Sequence, residues 1–227
     1  MAFPQVATSN SGDTASTNTT SHTVNLPASL SSGDLLIAVL TVDGDITTSD
    51  WPAGWTTLAD DLNSSTVVTV AIRYKISDGL EGASMSITSS ASEQSSHATY
   101  RINAWHGTTP PEINTAAAST TTPDPPSVTA SWGSDDNLWI AGTGYNDGRT
   151  VVSSYPTNYA SDQLNPQVGA GGTGTGIATD EVATDAEDPG TYTIDNGEDQ
   201  VAFTIAVRPA AAAGGPGAIM TANKGFW

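Results

Sequence analysis

The stretch Asp34-Leu35-Leu36-Ile37-Ala38-Val39-Leu40-Thr41-Val42-Asp43-Gly44 is apolar on both faces of an extended chain and ends on an Asp-Gly turn signal. A short run of Leu, Ile and Val bounded in this way predicts a central strand covered on both sides. The chain then repeats the theme as Asp136-Asn137-Leu138-Trp139-Ile140-Ala141-Gly142-Thr143-Gly144-Tyr145-Asn146-Asp147-Gly148. The next landmark, Trp51-Pro52-Ala53-Gly54-Trp55, is answered by Tyr155-Pro156-Thr157-Asn158-Tyr159. Asp78-Gly79 with Met85 and Ile87 is answered by Glu187-Asp188-Pro189-Gly190 with Tyr192 and Ile194. Each half closes on a long strand, 97–105 in the first and 201–208 in the second. Self-similarity at this scale points to a duplicated β-unit.

Alternation with period two recurs along the chain. In 68–76 the even positions Val68, Val70, Ile72, Tyr74 and Ile76 are apolar while Arg73 and Lys75 point the other way. Val201, Phe203, Ile205 and Val207 alternate likewise with Gln200, Thr204 and Arg208. Both read as half-buried strands. Further strands are predicted near 3–8, 21–27, 55–59, 83–89, 96–106, 126–131, 174–182 and 190–195, with Gly, Asp and Asn turns between them. No segment carries a helical stripe. The expected fold is therefore all-β: an antiparallel, jelly-roll-like β-sandwich over residues 1–208. Its pseudo-repeated halves are placed at about 21–107 and 126–208 and joined by an extended loop, 110–126. A single shared sandwich is expected because neither half holds many large apolar residues for a core of its own. Residues 209–217, rich in Ala and Gly, read as a linker, and 218–227 as a C-terminal anchoring peptide.

Composition narrows the function. The 24 acids against 6 bases give a formal charge of −18, and no Lys or Arg precedes Arg73. Such a surface repels phosphate backbones and anionic lipid, so neither nucleic acid nor a membrane surface is expected as a partner. Charged residues are only 13% of the chain, and Ser and Thr make up about a quarter, as suits the outward positions of sheets. There is no cysteine, so no disulfide or thiolate metal site is available. The N-terminal Met1-Ala2-Phe3-Pro4-Gln5-Val6 has neither a basic region nor an apolar run, so no secretory signal is expected. The apolar run at 35–40 is too short to span a bilayer.

Catalytic patterns are weak. His22, His97 and His106 lie on or beside predicted strands, with no nucleophile-elbow or paired-histidine motif near them. The adjacent acids Asp60-Asp61, Asp135-Asp136, Asp180-Glu181 and Glu187-Asp188 would point to opposite faces of a strand, which argues against a shared glycosidase centre. Acidic turns such as Asp43-Gly44-Asp45 could offer oxygens to calcium, but none matches the twelve-residue calcium loop, so no metal or cofactor is expected. The glycine-rich 169–176 runs into a strand and lacks the helix a phosphate cradle needs. No enzyme activity is expected. Trp51 and Trp55, with Tyr155 and Tyr159 in the matching place, are the aromatics that could contact a glycan. The competing role is to fold inward and plug an end of the sandwich.

Several local sequences resemble a family of phage-encoded virion accessory proteins, often from marine phages. They are Met1-Ala2-Phe3-Pro4, His22-Thr23-Val24-Asn25-Leu26-Pro27, Gly33-Asp34-Leu35-Leu36-Ile37, Pro52-Ala53-Gly54-Trp55-Thr56, Ile76-Ser77-Asp78-Gly79-Leu80-Glu81-Gly82, Tyr100-Arg101-Ile102 and Thr122-Pro123-Asp124-Pro125-Pro126. The resemblance covers roughly 1–208 and implies a non-enzymatic structural protein on the virion surface, made in the host cytoplasm: a head decoration protein or a fibre component. The partners it implies are other capsid or tail proteins, further copies of the chain and host glycans. Apolar residues gathered in the last ten positions, Ile219, Met220, Phe226 and Trp227 beside Lys224, make that segment the expected attachment to a partner. The rival expectation is a carbohydrate-binding module for host-surface glycans.

Overall fold

The computed structural model describes residues 1–62, 66–169 and 171–211. Every regular element among them is a strand, and all pairing between named strands is antiparallel. The first half contains β1 (Gln5–Asp13), β2 (Thr19–Asn25), β3 (Leu35–Asp43), β4 (Thr48–Ser49), β5 (Thr56–Leu62), β6 (Val68–Ile76), β7 (Ser84–Glu93) and β8 (Ser95–Asn103). They form a five-stranded sheet ordered β1-β8-β3-β6-β5 and a three-stranded sheet ordered β2-β7-β4. The second half contains β9 (Glu112–Thr120), β10 (Val128–Thr129), β11 (Asp135–Asn146), β12 (Val152–Ser154), β13 (Ser161–Leu164), β14 (Thr173–Thr184), β15 (Ala186–Glu187), β16 (Thr193–Ile194) and β17 (Glu198–Val207). Its five-stranded sheet runs β9-β17-β11-β14-β13, flanked by the short pairs β10-β15 and β12-β16.

The two five-stranded sheets correspond in strand order. β1 and β9 are edge strands beside the closing strands β8 and β17, and β3 and β11 sit at the centres. β15 and β16 together take the place of β7. The Thr- and Ala-rich stretch within 110–126, expected to be a crossing loop, is instead largely β9, in register with β17 from Ala206↔Glu112 to Glu198↔Thr120. An edge strand needs backbone pairing more than large side chains, so small residues such as Ala116, Ala117 and Ala118 suffice there.

Alternation sorts the side chains into layers. The odd positions of β3 (Leu35, Ile37, Val39) join Val70, Ile72, Tyr100 and Ile102 on one side of a central core, with Leu138, Ile140, Ile177, Val201, Phe203, Ile205 and Val207 opposite. The two five-stranded sheets thus pack face to face. The even positions of β3 (Ala38, Leu40, Val42) turn outward and meet Val24, Met85 and Ile87 of the small sheet. In the second half Trp139, Ala141, Ala178 and Ala206 meet Val128, Tyr159 and Tyr192 in the same way. Each half therefore closes a second apolar layer of its own, with aromatics in the second half and aliphatics in the first. This is why β3 and β11 are apolar on both faces.

Hydroxyls complete one end of the central core. Thr175 Oγ1 lies 2.8 Å from both Thr41 Oγ1 and Ser96 Oγ, and Thr173 Oγ1 donates to Thr41 O at 3.2 Å. All four residues are fully buried, and the bonds cross between the halves. Burial is tolerated there because each hydroxyl finds a partner.

Candidate functional site

The loop between β4 and β5 carries Trp51 and Trp55. Both are half-buried against the outer layer of the first half, with ring centroids 5.9 Å apart and planes tilted by 55°. Trp51 Nε1 donates to Thr48 Oγ1 at 3.1 Å, which ties the loop back to β4. The guanidinium of Arg73 lies 5.0 Å from the Trp51 ring centroid, within cation–π range. Arg73 projects from the outer face of β6 because residues 70 and 72 point into the central core. It grips Asp60 on β5 with two bonds, Nη1 to Oδ1 at 2.8 Å and Nη2 to Oδ2 at 2.6 Å. The fork geometry fixes the carboxylate of Asp60, whose side chain stays 46% exposed. Beside this pair a cleft of about 310 Å³ is lined by Ile46, Thr47, Thr48, Asp60 and Thr69.

The matching place in the second half is closed. Tyr159 is 1% exposed and packs among Trp139 and Tyr192, with its hydroxyl 3.5 Å from Glu187 Oε1. Burial first, and the charge of Glu187 next, push the Tyr159 hydroxyl far up from its ordinary range. Tyr155 stacks at a tilt on Tyr192, 5.4 Å between centroids, and its hydroxyl donates to Leu164 O at 3.4 Å. Of the four aromatics, Trp51, Trp55 and Tyr155 keep some exposed surface, with Tyr155 anchored at both ends, and Tyr159 presents almost none.

No family model matches the chain, and no curated protein or solved structure matches it.

The histidines serve packing. His22 is fully buried, with Nδ1 2.9 Å from Ser95 Oγ and Nε2 2.7 Å from Ser89 Oγ. Burial lowers its pKa from the ordinary value. His97 is 1% exposed, and its Nε2 accepts the Asn25 backbone N–H at 2.9 Å. Burial pulls its pKa down to about 4, against a smaller upward effect of Asp13. Neither ring is open to a substrate. His106 Nδ1 accepts from Thr109 N at 3.2 Å and organises the turn before β9.

Among the described residues no group of three or more His, Cys, Asp and Glu side chains is placed to hold a metal. Asp43 has its pKa raised to about 6, by burial first and by the nearby Glu93 charge second. The expected attachment residues Ile219, Met220, Lys224, Phe226 and Trp227 lie outside the described residues. The chain approaches them from Ala210, whose N–H donates to Ala104 O at 2.8 Å. That end of the fold also presents Leu80, 87% exposed, and Ile76, 44% exposed. Sequence reasoning missed Asp60, Arg73 and Thr48 as a constellation. The alternation in β6 showed that Arg73 turns away from the core, but nothing local said which strand would meet it.

Proposed function

We propose that this chain is a non-enzymatic structural protein of a phage particle, carried on the particle surface as a head decoration protein or fibre component. The observation that carries this reading is the strand order. Two successive units, of eight and nine strands, each wrap the first strand beside the last and the second beside the seventh; this follows the plan of a jelly roll, with β5 and its counterpart β13 moved to the large sheets. Jelly rolls recur in capsid and lectin domains. A fold alone does not assign a task, and the resemblance of the motifs at 1–4, 22–27, 33–37 and 76–82 is what favours the virion. The two units share one core, which makes a stiff body whose acidic surface resists association with its own copies. In this reading the chain exit beside Ala104, with Leu80 and Ile76 exposed near it, faces the particle. Residues 218–227 then form the attachment peptide. Mass spectrometry of purified particles tests the proposal: the protein should be recovered at a fixed copy number, and its absence ends the reading. A second reading, recognition of host glycans, draws on the same fold and on the cleft beside Trp51.

A further inference from the structure

We infer that the cleft between β4 and β5 is a binding site for one neutral sugar ring. The cleft exists because β5 leaves the small sheet. Among the described residues β4 pairs only with β7, through Thr48↔Ser89 and Ser49↔Thr88, and β5 pairs with β6 on the large sheet. A gap is left along that side of the first unit. In the second unit Val152 lies over Gly176, where a Cβ would come within 2.6 Å of it, and the Tyr155 hydroxyl reaches Leu164 O. The duplication thus supplies its own comparison, with the gap filled in one copy and open in the other.

The floor is fixed. Ile46 is 4% exposed, and Thr69 Oγ1 donates to Gly44 O at 2.9 Å while taking the Ile46 N–H at 3.3 Å. Above it, Thr48 Oγ1 accepts from Trp51 Nε1, which leaves the Thr48 proton to donate to a ligand. The Thr47 hydroxyl has no partner among the described residues. Asp60 has one lone pair of each oxygen turned to Arg73 and the others available, and at 46% exposure they face solvent.

These groups select by chemistry. An anion meets the Asp60 carboxylate in a protein of net charge −18. A cation finds that carboxylate already compensated by Arg73. A wholly apolar ligand would strip water from Asp60 and replace it with nothing. A ring bearing several hydroxyls can donate to Asp60 and accept from Thr47 and Thr48, with its C–H surface on Ile46. The volume of about 310 Å³ lies at the small end of ligand sites and suits one ring, not a chain. The reading differs from stacking on the faces of Trp51 and Trp55, whose tilted planes do not form a platform.

The test uses the purified full chain, so its outcome is independent of whether the protein is found in particles. Saturation-transfer NMR is run with methyl glycosides of glucose, galactose, mannose and N-acetylglucosamine at millimolar concentration, each with and without EDTA. At least one glycoside should bind, unaffected by EDTA. Asp60→Asn and, separately, Thr47→Val should each weaken that binding by about tenfold. The Thr47 hydroxyl has no partner among the described residues, and its backbone bonds to Ser90 survive the change, so its variant should keep the wild-type melting temperature and report on binding alone. Absence of signal from all four glycosides, binding unchanged in both variants, or binding abolished by EDTA would each overturn the proposal.

Discussion

At the scale of single residues, His97 has the clearest energetic signature. Its Nε2 accepts a backbone N–H from Asn25, so protonation would set two donors against each other inside a closed layer. The folded-state pKa of about 4 lies below the ordinary 6.5. A depressed pKa of this kind contributes stability that is present above 6.5 and is lost as pH falls toward 4. His22, also lowered by burial, acts in the same direction. Asp43, raised from 3.8 to about 6, acts in the opposite one: its contribution is present below 3.8 and lost as pH rises through 6. Comparing wild type with His97→Gln isolates the histidine, because the other two groups are common to both. Gln can still accept the Asn25 N–H but does not titrate. Urea unfolding at pH 7 and pH 4.5 should show wild type losing about 2–3 kcal/mol more than the variant on acidification. Equal losses would mean that His97 can leave its site without disturbing the fold.

At the scale of strands, β11 shows what alternation reveals and what it hides. Leu138, Ile140 and Trp139, Ala141 identify a strand buried on both faces, and that reading holds. The glycines in it carry information the pattern does not. Gly142 sits opposite Phe203 on β17, and a Cβ there would stand 2.1 Å from the Phe203 ring. Phe203 is fully buried and cannot swing away without opening the central core. Gly142→Ala should therefore cost about 1–3 kcal/mol, and adding Phe203→Leu should restore part of it, since the two side chains compete for one space. Thermal unfolding of the single and double variants checks this, and strictly additive losses would reject the competition. Strand identity was legible because burial on both faces leaves a mark in every residue. β9 was not, because an edge strand of Ala, Ser and Thr uses backbone pairing that composition does not record. β4, β12 and β15 are two or three residues long, too short for any period to appear. The cleft was unreadable for a related reason: it depends on β5 choosing β6 over β4, a matter of partners, while Asp60, Thr48 and Arg73 are unremarkable where each stands.

At the scale of the whole molecule, the question is whether the halves can live apart. Each has a complete set of strands and an outer layer of its own, which argues that each unit could hold its shape. Against this stands the central core. Separation would bare Leu35, Ile37, Val39, Val70, Ile72, Tyr100 and Ile102 on one unit and Leu138, Ile140, Ile177, Val201, Phe203, Ile205 and Val207 on the other. At roughly 1.5–3 kcal/mol for each large side chain returned to water, either face costs on the order of 10 kcal/mol, as much as a whole domain's net stability. The hydroxyls of Thr41, Ser96, Thr173 and Thr175 would lose their cross-unit partners, though water could replace those. The apolar term decides the balance. Expressed separately, residues 1–107 and 108–211 should aggregate or self-associate through the exposed face. Mixed after refolding, they should form a one-to-one complex with the near-ultraviolet circular dichroism of the intact chain. Cutting the connection between β8 and β9 removes no strand and no core residue, so reassembly tests the shared core alone. Two monomeric halves, each melting cooperatively and indifferent to the other, would show that the outer layers suffice and that the central packing only orients the units.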